Sequence, residues 1–239
     1  MTSCHQAKSE KLNIAVAANM QFAIKELAKK FTNQTKIECD LIISSSGKLI
    51  AQIREGAPFD IFVSADMKYP TALYNNGFTE KQPRIYAYGK LVLWTMNKDI
   101  LPRLDVLEKN KINHIALANP KTAPYGSATI EVLKHFDIYD KIKNKLVFGE
   151  SIAQVNQFVI SRAAEIGFTA KSVLLSSELK DKGNWTDIEA TTYSPIEQGV
   201  VILKNTNREK EAKQFYDFLF SNEGKEILKD FGYDVDMRH

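Results

Sequence analysis

"LIISSSGKLIAQIREGAPFDIFVSAD", residues 41–66, decides the fold of this chain. The apolar run Leu41-Ile42-Ile43 ends in three serines and a glycine, and no charge appears until Lys48. Leu49, Ile50 and Ile53 then recur at helical spacing, Gly56-Ala57-Pro58 stops the helix, and Ile61 to Val63 forms the next strand. Strand, small polar turn, helix and strand make one unit of a parallel sheet covered by helices.

The flanking sequence repeats this style. Residues 12–18 read as a buried strand, and Met20, Ala23, Ile24, Leu27, Ala28 and Phe31 recur at helical spacing with Lys25, Glu26, Lys29 and Lys30 opposite. A helix from about 68 to 75 ends at Gly77. Further on come the apolar run 85–96, a strand at 114–120, a helix at 127–136, a strand at 145–149, a helix at 153–165 and a strand at 166–170. After the polar stretch 180–187, residues 195–204 form a strand, and Phe215, Phe218, Leu219, Ile227 and Leu228 mark two closing helices. The expected fold class is α/β with two lobes, each a mostly parallel sheet flanked by helices. Crossing segments near 85–90 and 194–200 divide the chain into a disordered tail (1–11), lobe 1 (12–86 plus 199–239) and lobe 2 (87–198). Two crossings imply a hinge and a cleft.

Composition excludes several function classes. The 239 residues are 44% hydrophobic, enough for one large domain or two lobes of about 100 residues each. The net charge of +3 comes from 32 basic and 29 acidic residues with no long single-sign run, so neither nucleic acid nor an anionic membrane is an expected partner. Cys4 and Cys39 lack CxxC spacing and the four histidines are scattered, which speaks against a metal centre. No apolar run approaches the roughly 18 residues of a membrane span, and residues 1–10 are too polar for a signal peptide, so either the protein is cytoplasmic or a leader is missing. Cys4 reads either as a free thiol in the tail or as the lipid-bearing cysteine of a truncated lipoprotein leader.

Four strand-to-helix turns carry the functional signal: Ala17-Ala18-Asn19, Ser44-Ser45-Ser46-Gly47, Pro124-Tyr125-Gly126-Ser127 and Glu150-Ser151-Ile152. Each presents free N–H groups and hydroxyls where the helix dipole is positive, the setting that holds an oxyanion. Any one of them alone is an ordinary N-cap. Four of them, two in each lobe, point to an anion held across the cleft.

The runs AVAANMQFAIKELAKKF, SSSGKLIAQIREGAPFDIFVSADMKY, LANPKTAPYGSATIEVLKHF and FYDFLFSNEGKEILKDFGY together resemble the periplasmic molybdate-binding proteins of ABC transporters, over roughly residues 12–233. The resemblance implies the periplasmic-binding-protein fold. It also implies a tetrahedral molybdate or tungstate dianion held by neutral donors, and delivery to a membrane permease. By resemblance the ligand positions are the Asn19 side chain and nearby amides including Ala18, the Ser46 hydroxyl and amide, Ala65 near the cleft, and the Tyr125 and Ile152 amides. The metal of the anion would be reached only through its oxygens, by Asn19, Ser46, Tyr125 and Ile152. Many members have Ser at the position of Asn19, and a Tyr hydroxyl in the segment that reads IGFTAKS here, where Ala170 offers no donor. Others share Asn in the first loop and PYG in the third. Tyr125 reads either as the supplier of the missing phenol or as a surface turn residue. The resemblance further implies a monomer without a cofactor, located in the periplasm and anchored through Cys4 if that cysteine bears lipid.

Several donors can replace the hydration of a dianion, since each charge-assisted hydrogen bond contributes about 1.5–3 kcal/mol. Fixed donors also measure size: molybdate and tungstate have nearly equal radii, sulfate has shorter bonds, and phosphate carries a proton that an all-donor site cannot accept. Enzyme readings fail on the residues. Ser46-Gly47-Lys48 is followed by Leu49 and has no Gly at 42, which breaks the phosphate-loop pattern, and no histidine shares a motif with a serine. A transcription-effector domain would need a helix-turn-helix, which the chain lacks. The remaining alternative is a binding protein for sulfate, phosphate or a small organic acid, although a carboxylate would call for an Arg fork and no Arg adjoins the four turns.

Overall fold

The computed structural model describes residues 11–236; Cys4 and the rest of the expected tail up to residue 10 lie outside the described residues. The first part of the chain forms β1 (Leu12–Ala17), α1 (Ala23–Thr35), β2 (Cys39–Ser44), α2 (Ser46–Arg54), β3 (Ile61–Val63), α3 (Lys68–Asn75) and β4 (Arg84–Gly89). A second group follows: β5 (Leu91–Thr95), β6 (Ile115–Ala118), α4 (Pro124–His135), α5 (Tyr139–Ile142), β7 (Leu146–Gly149), α6 (Ile152–Ile160), β8 (Ile166–Ala170), α7 (Lys171–Leu174) and β9 (Asn184–Asp187). The chain then returns through β10 (Ile196–Ile202), α8 (Glu209–Leu219) and α9 (Asn222–Asp230).

Two five-stranded sheets result, ordered β2-β1-β3-β10-β4 and β7-β6-β8-β5-β9. In the first, β1 pairs in parallel with β2 and β3, while β10 runs antiparallel to both β3 and β4. In the second, β6 pairs in parallel with β7 and β8, while β5 runs antiparallel to β8 and β9. Each sheet therefore has a single reversed strand, and in each it is the strand by which the chain arrives from the other sheet. A strand entered through a helical crossover keeps its neighbour's direction; one entered from the opposite lobe is free of that constraint.

Alternation of side chains sets the layers. Ile14 and Val16 face a core shared with Ile24, Leu27 and Phe31 of α1 and Phe215 of α8, whereas Ala15 faces Leu49, Ile50 and Ile53 of α2. The core of the second sheet extends to Ala17, Ala18 and Ala65 of the first, so the two halves meet at the ends of their strands.

The structure redraws several boundaries. The periodicity through Met20 spans a separate 3-10 turn, Ala18–Met20, before α1 begins at Ala23. The run 85–96 is two strands broken at Lys90, whose carbonyl accepts from Lys171 N at 2.9 Å. The helix expected to reach 165 ends at Ile160, two residues before Arg162 adopts a left-handed φ of 60°. The polar stretch 180–187 conceals β9, an edge strand whose exposed Thr186 and Asp187 give no apolar alternation. Among the described residues no helix is long and apolar enough to cross a membrane.

Candidate anion-binding cleft

All four turns lie at the C-terminal ends of strands. In the first, Ala17 leads into the turn holding Ala18 and Asn19, both buried. The Asn19 side chain does not point into open space: Nδ2 donates to Gln198 Oε1 at 2.8 Å and to Tyr233 Oη at 2.9 Å. Main-chain N–H groups are therefore what this turn offers most directly. In the second turn the capping role belongs to Ser45, whose Oγ accepts from Lys48 N at 3.4 Å, and Ser46 is the first helical residue. Ser46 Oγ accepts instead from Ala65 N at 3.0 Å. This contact directs Ala65 N–H at the serine, and leaves the serine its own proton to donate.

The third turn is already helix. Pro124 and Tyr125 occupy the first two positions of α4, three residues earlier than periodicity indicates, because the fixed φ of proline suits the first helical position. In the fourth, Ser151 caps α6 by accepting from Gln154 N at 3.4 Å, which makes Ile152 the first helical residue. Ser46, Tyr125 and Ile152 thus each carry a first-turn N–H with no carbonyl four residues back, at the positive end of a helix.

Direct contacts link the four turns to one another. Gln198 of β10 accepts from Asn19 and donates through Nε2 to Ala65 O at 3.3 Å, joining the first turn to the segment that holds Ser46. Gly47 N donates to Thr122 O at 3.0 Å, joining the second turn to the third. Asn119 N donates to Gly149 O at 2.7 Å, joining the third to the fourth. Lys48 and Glu150 form an ion pair between the second and the fourth, with both side chains well exposed. On the same rim, Tyr69 Oη donates to Lys121 O at 3.2 Å. The two halves are in contact, with the turns facing one another.

Tyr125 is only 2% exposed, which removes the surface-turn alternative. Its ring runs to the crossing strand, where a Cβ on Gly89 would sit 2.1 Å from the Tyr125 oxygen. The phenol lies close to the Asn19 and Tyr233 side chains but makes no hydrogen bond of good geometry with them, and Asn19 Oδ1 has no partner. Burial pushes the Tyr125 phenol well above its ordinary pKa, with Tyr233, Tyr86 and Tyr193 adding in the same direction, so it stays neutral. Cys39 is likewise held as a thiol, pushed up to about 11 by burial, and is a poor metal ligand or nucleophile. Among the described residues no group of three or more His, Cys, Asp or Glu side chains could hold a metal ion.

The sequence did not single out Gln198, Ser172, Tyr233 or Thr122. A signal existed for Gln198, a neutral polar residue beside Glu197 in the largely apolar strand 195–204, and it is fully buried in the structure. The others lie on segments without periodicity.

Comparison with known proteins adds a relationship to this geometry. Residues 12–234 match the family described as bacterial extracellular solute-binding proteins. The molybdate-binding protein ModA of Azotobacter vinelandii is 36% identical over 229 residues, covering 95% of this chain and 91% of that protein. ModA of Rhodobacter capsulatus is 36% identical over 220 residues, 92% of this chain and 86% of that protein. The solved structure of the periplasmic molybdate-binding protein of Azotobacter vinelandii superposes with a TM-score of 0.91 at 35% identity, covering 95% of this chain and all of that one.

Proposed function

We propose a function from one premise, that the chain belongs to the bacterial extracellular solute-binding protein family: its cleft captures molybdate for delivery to an ABC importer. One observation carries the reading. Three helices and the Ala18–Met20 turn begin at turns that hydrogen bonds bring together, each offering first-turn N–H groups, and Lys48 beside them is already paired with Glu150. That donor set suits a dianion with four acceptor oxygens and no proton. The residues proposed to hold it are Ser46, through hydroxyl and amide, and Ala18, Asn19, Tyr125 and Ile152 through their amides, with Ala65 orienting the Ser46 hydroxyl. Solute-binding proteins capture a ligand without transforming it, and no covalent step is assigned to these residues.

Tungstate, nearly the same size, is proposed as a second ligand. The action is that of a monomer outside the cytoplasm, with the importer's permease as partner and no nucleic acid. Anchoring through Cys4, outside the described residues, is supported only by its sequence setting and by the lipoprotein name of a Bacillus subtilis relative, 30% identical over 235 residues.

Isothermal titration with molybdate, tungstate, sulfate and phosphate tests this. Tight binding of the first two and none of the others is expected. Equal binding of sulfate would replace the reading with a general oxyanion receptor, and no heat with any of the four would end it.

A further inference from the structure

Beyond the two crossings, a third segment of chain touches both halves, through non-covalent contacts. The chain after α9 returns to the crossing strand, where Tyr88 N donates to Asp234 O at 2.7 Å and Asp234 N to Tyr88 O at 3.0 Å. Just before this bridge, Gly232 lies against the second half: a Cβ there would sit 2.8 Å from Leu175 and 3.2 Å from Lys171, and its φ of 76° is one that glycine adopts without strain. Between them Tyr233 turns inward and is 4% exposed.

The Tyr233 phenol meets both halves at the first anion turn. It accepts from Asn19 Nδ2 at 2.9 Å, and its proton is shared between Asn19 O at 3.2 Å and Ser172 Oγ at 3.1 Å. Ser172, on α7 of the second half, donates in turn to Asn19 O at 2.8 Å. Two hydroxyls, one from each half, thus close on one carbonyl, and the peptide that bears it is the one leaving Asn19. Burial raises the Tyr233 phenol above its ordinary pKa, so it remains a donor at any physiological pH.

We infer that Tyr233 and Ser172 are positioning residues for anion capture: together they lock the first anion turn in register with the second half only when the cleft is shut, and so set the lifetime of the bound state. The inference rests on the oxyanion reading, deepening it from which groups bind to what holds the ligand in. A contact present only in the closed state slows release and leaves encounter unaffected, because encounter takes place with the halves apart. The lock needs no contact with the anion; it acts through Asn19.

Stopped-flow fluorescence with molybdate, on wild type, Tyr233→Phe, Ser172→Ala and the double variant, reads the effect. Tyr233→Phe keeps the buried ring and deletes the hydroxyl. Dissociation about tenfold faster, with association unchanged within twofold, is expected for each single variant, the worth of one hydrogen bond in the closed state. The double variant should be no more than about twofold faster than either single, because the hydroxyls act as one unit. An unchanged dissociation rate in Tyr233→Phe overturns the inference, as does a slowed association. Wild type binding none of the anions would end the oxyanion reading and this inference with it, whereas tight binding by wild type with an unchanged dissociation rate in Tyr233→Phe would overturn the inference alone.

Discussion

Gly47 offers a direct test of cleft closure. It is the second residue of α2, adjoining Ser46, and a Cβ built on it would sit 2.9 Å from both Cα and Cβ of Thr122 and 3.0 Å from the Thr122 carbonyl oxygen. Ordinary contacts to a Cβ fall at 3.4–4 Å, so Gly47→Ala forces the two turns apart by several tenths of an ångström. Backbone lies on the far side, so no rotamer change relieves the clash. It also stretches the 3.0 Å hydrogen bond from Gly47 N to Thr122 O. Overpacking of this kind costs about 1–3 kcal/mol, and charged to the closed state alone this weakens binding roughly 5- to 150-fold. The open form is spared. Gly47 is helical without a left-handed φ, and alanine there adds up to about 1 kcal/mol of helix propensity. Titration calorimetry with molybdate and ligand-free thermal melting, on the same samples, should therefore move in opposite directions: affinity down, melting temperature level or up. Unchanged affinity would refute the wedge, and a matching loss of ligand-free stability would show damage to the fold instead.

Other substitutions probe single donors. Ser46→Ala should weaken molybdate binding by about 1.5–3 kcal/mol and also lower ligand-free stability by about 1–3 kcal/mol, since it orphans the buried Ala65 N–H; calorimetry and melting read the two losses separately. Tyr125→Phe should leave the dissociation constant within about twofold and raise ligand-free stability by up to about 1 kcal/mol, because it deletes a buried hydroxyl without a partner. A tenfold loss of affinity in that variant would place the phenol at the anion. Lys48→Gln should slow molybdate association several-fold at low salt, and the difference should vanish near 0.5 M salt, while melting changes by less than about 1 kcal/mol because the pair is exposed; an association rate insensitive to both charge and salt would remove Lys48 from the approach path.

Periodicity carried most of the fold because β1, α1, α2 and β3 each bury apolar side chains fully, and burial is what the spacing of apolar residues records; β2, half-buried at a sheet edge, was legible from the unbroken run Leu41-Ile42-Ile43. It failed where burial is partial. β9 pairs along a sheet edge with exposed side chains, and the 3-10 turn at Ala18–Met20 continues the apolar spacing of α1 while breaking its backbone. The turns themselves were legible, since Ser45 and Ser151 are caps of the usual type and Pro124 marks a first helical position. The duties within them were not. A run of three serines does not tell which one caps and which one reaches Ala65, because that depends on the segment after β3, nineteen residues away in the chain. Tyr125 was ambiguous for a similar reason: Pro-Tyr-Gly fits a surface turn, and only the close approach of Gly89 shows where the ring goes.

The contacts that cross the cleft differ in kind according to where they lie, and the difference assigns them different work. On the rim, Lys48–Glu150 and Tyr69–Lys121 are exposed and screened, so they add little to the stability of the shut form. Deeper in, Gly47–Thr122 and the group around Asn19 are made by main chain and buried hydroxyls, which water cannot replace once the halves meet. These inner bonds run between the same turns that carry the free N–H groups, so the spacing of the donors is fixed by closure itself. An anion that leaves the turns too far apart loses the inner bonds, and one too small to reach all the donors loses part of its own. Size discrimination by such a cleft comes from bonds between its two halves as much as from bonds to the ligand.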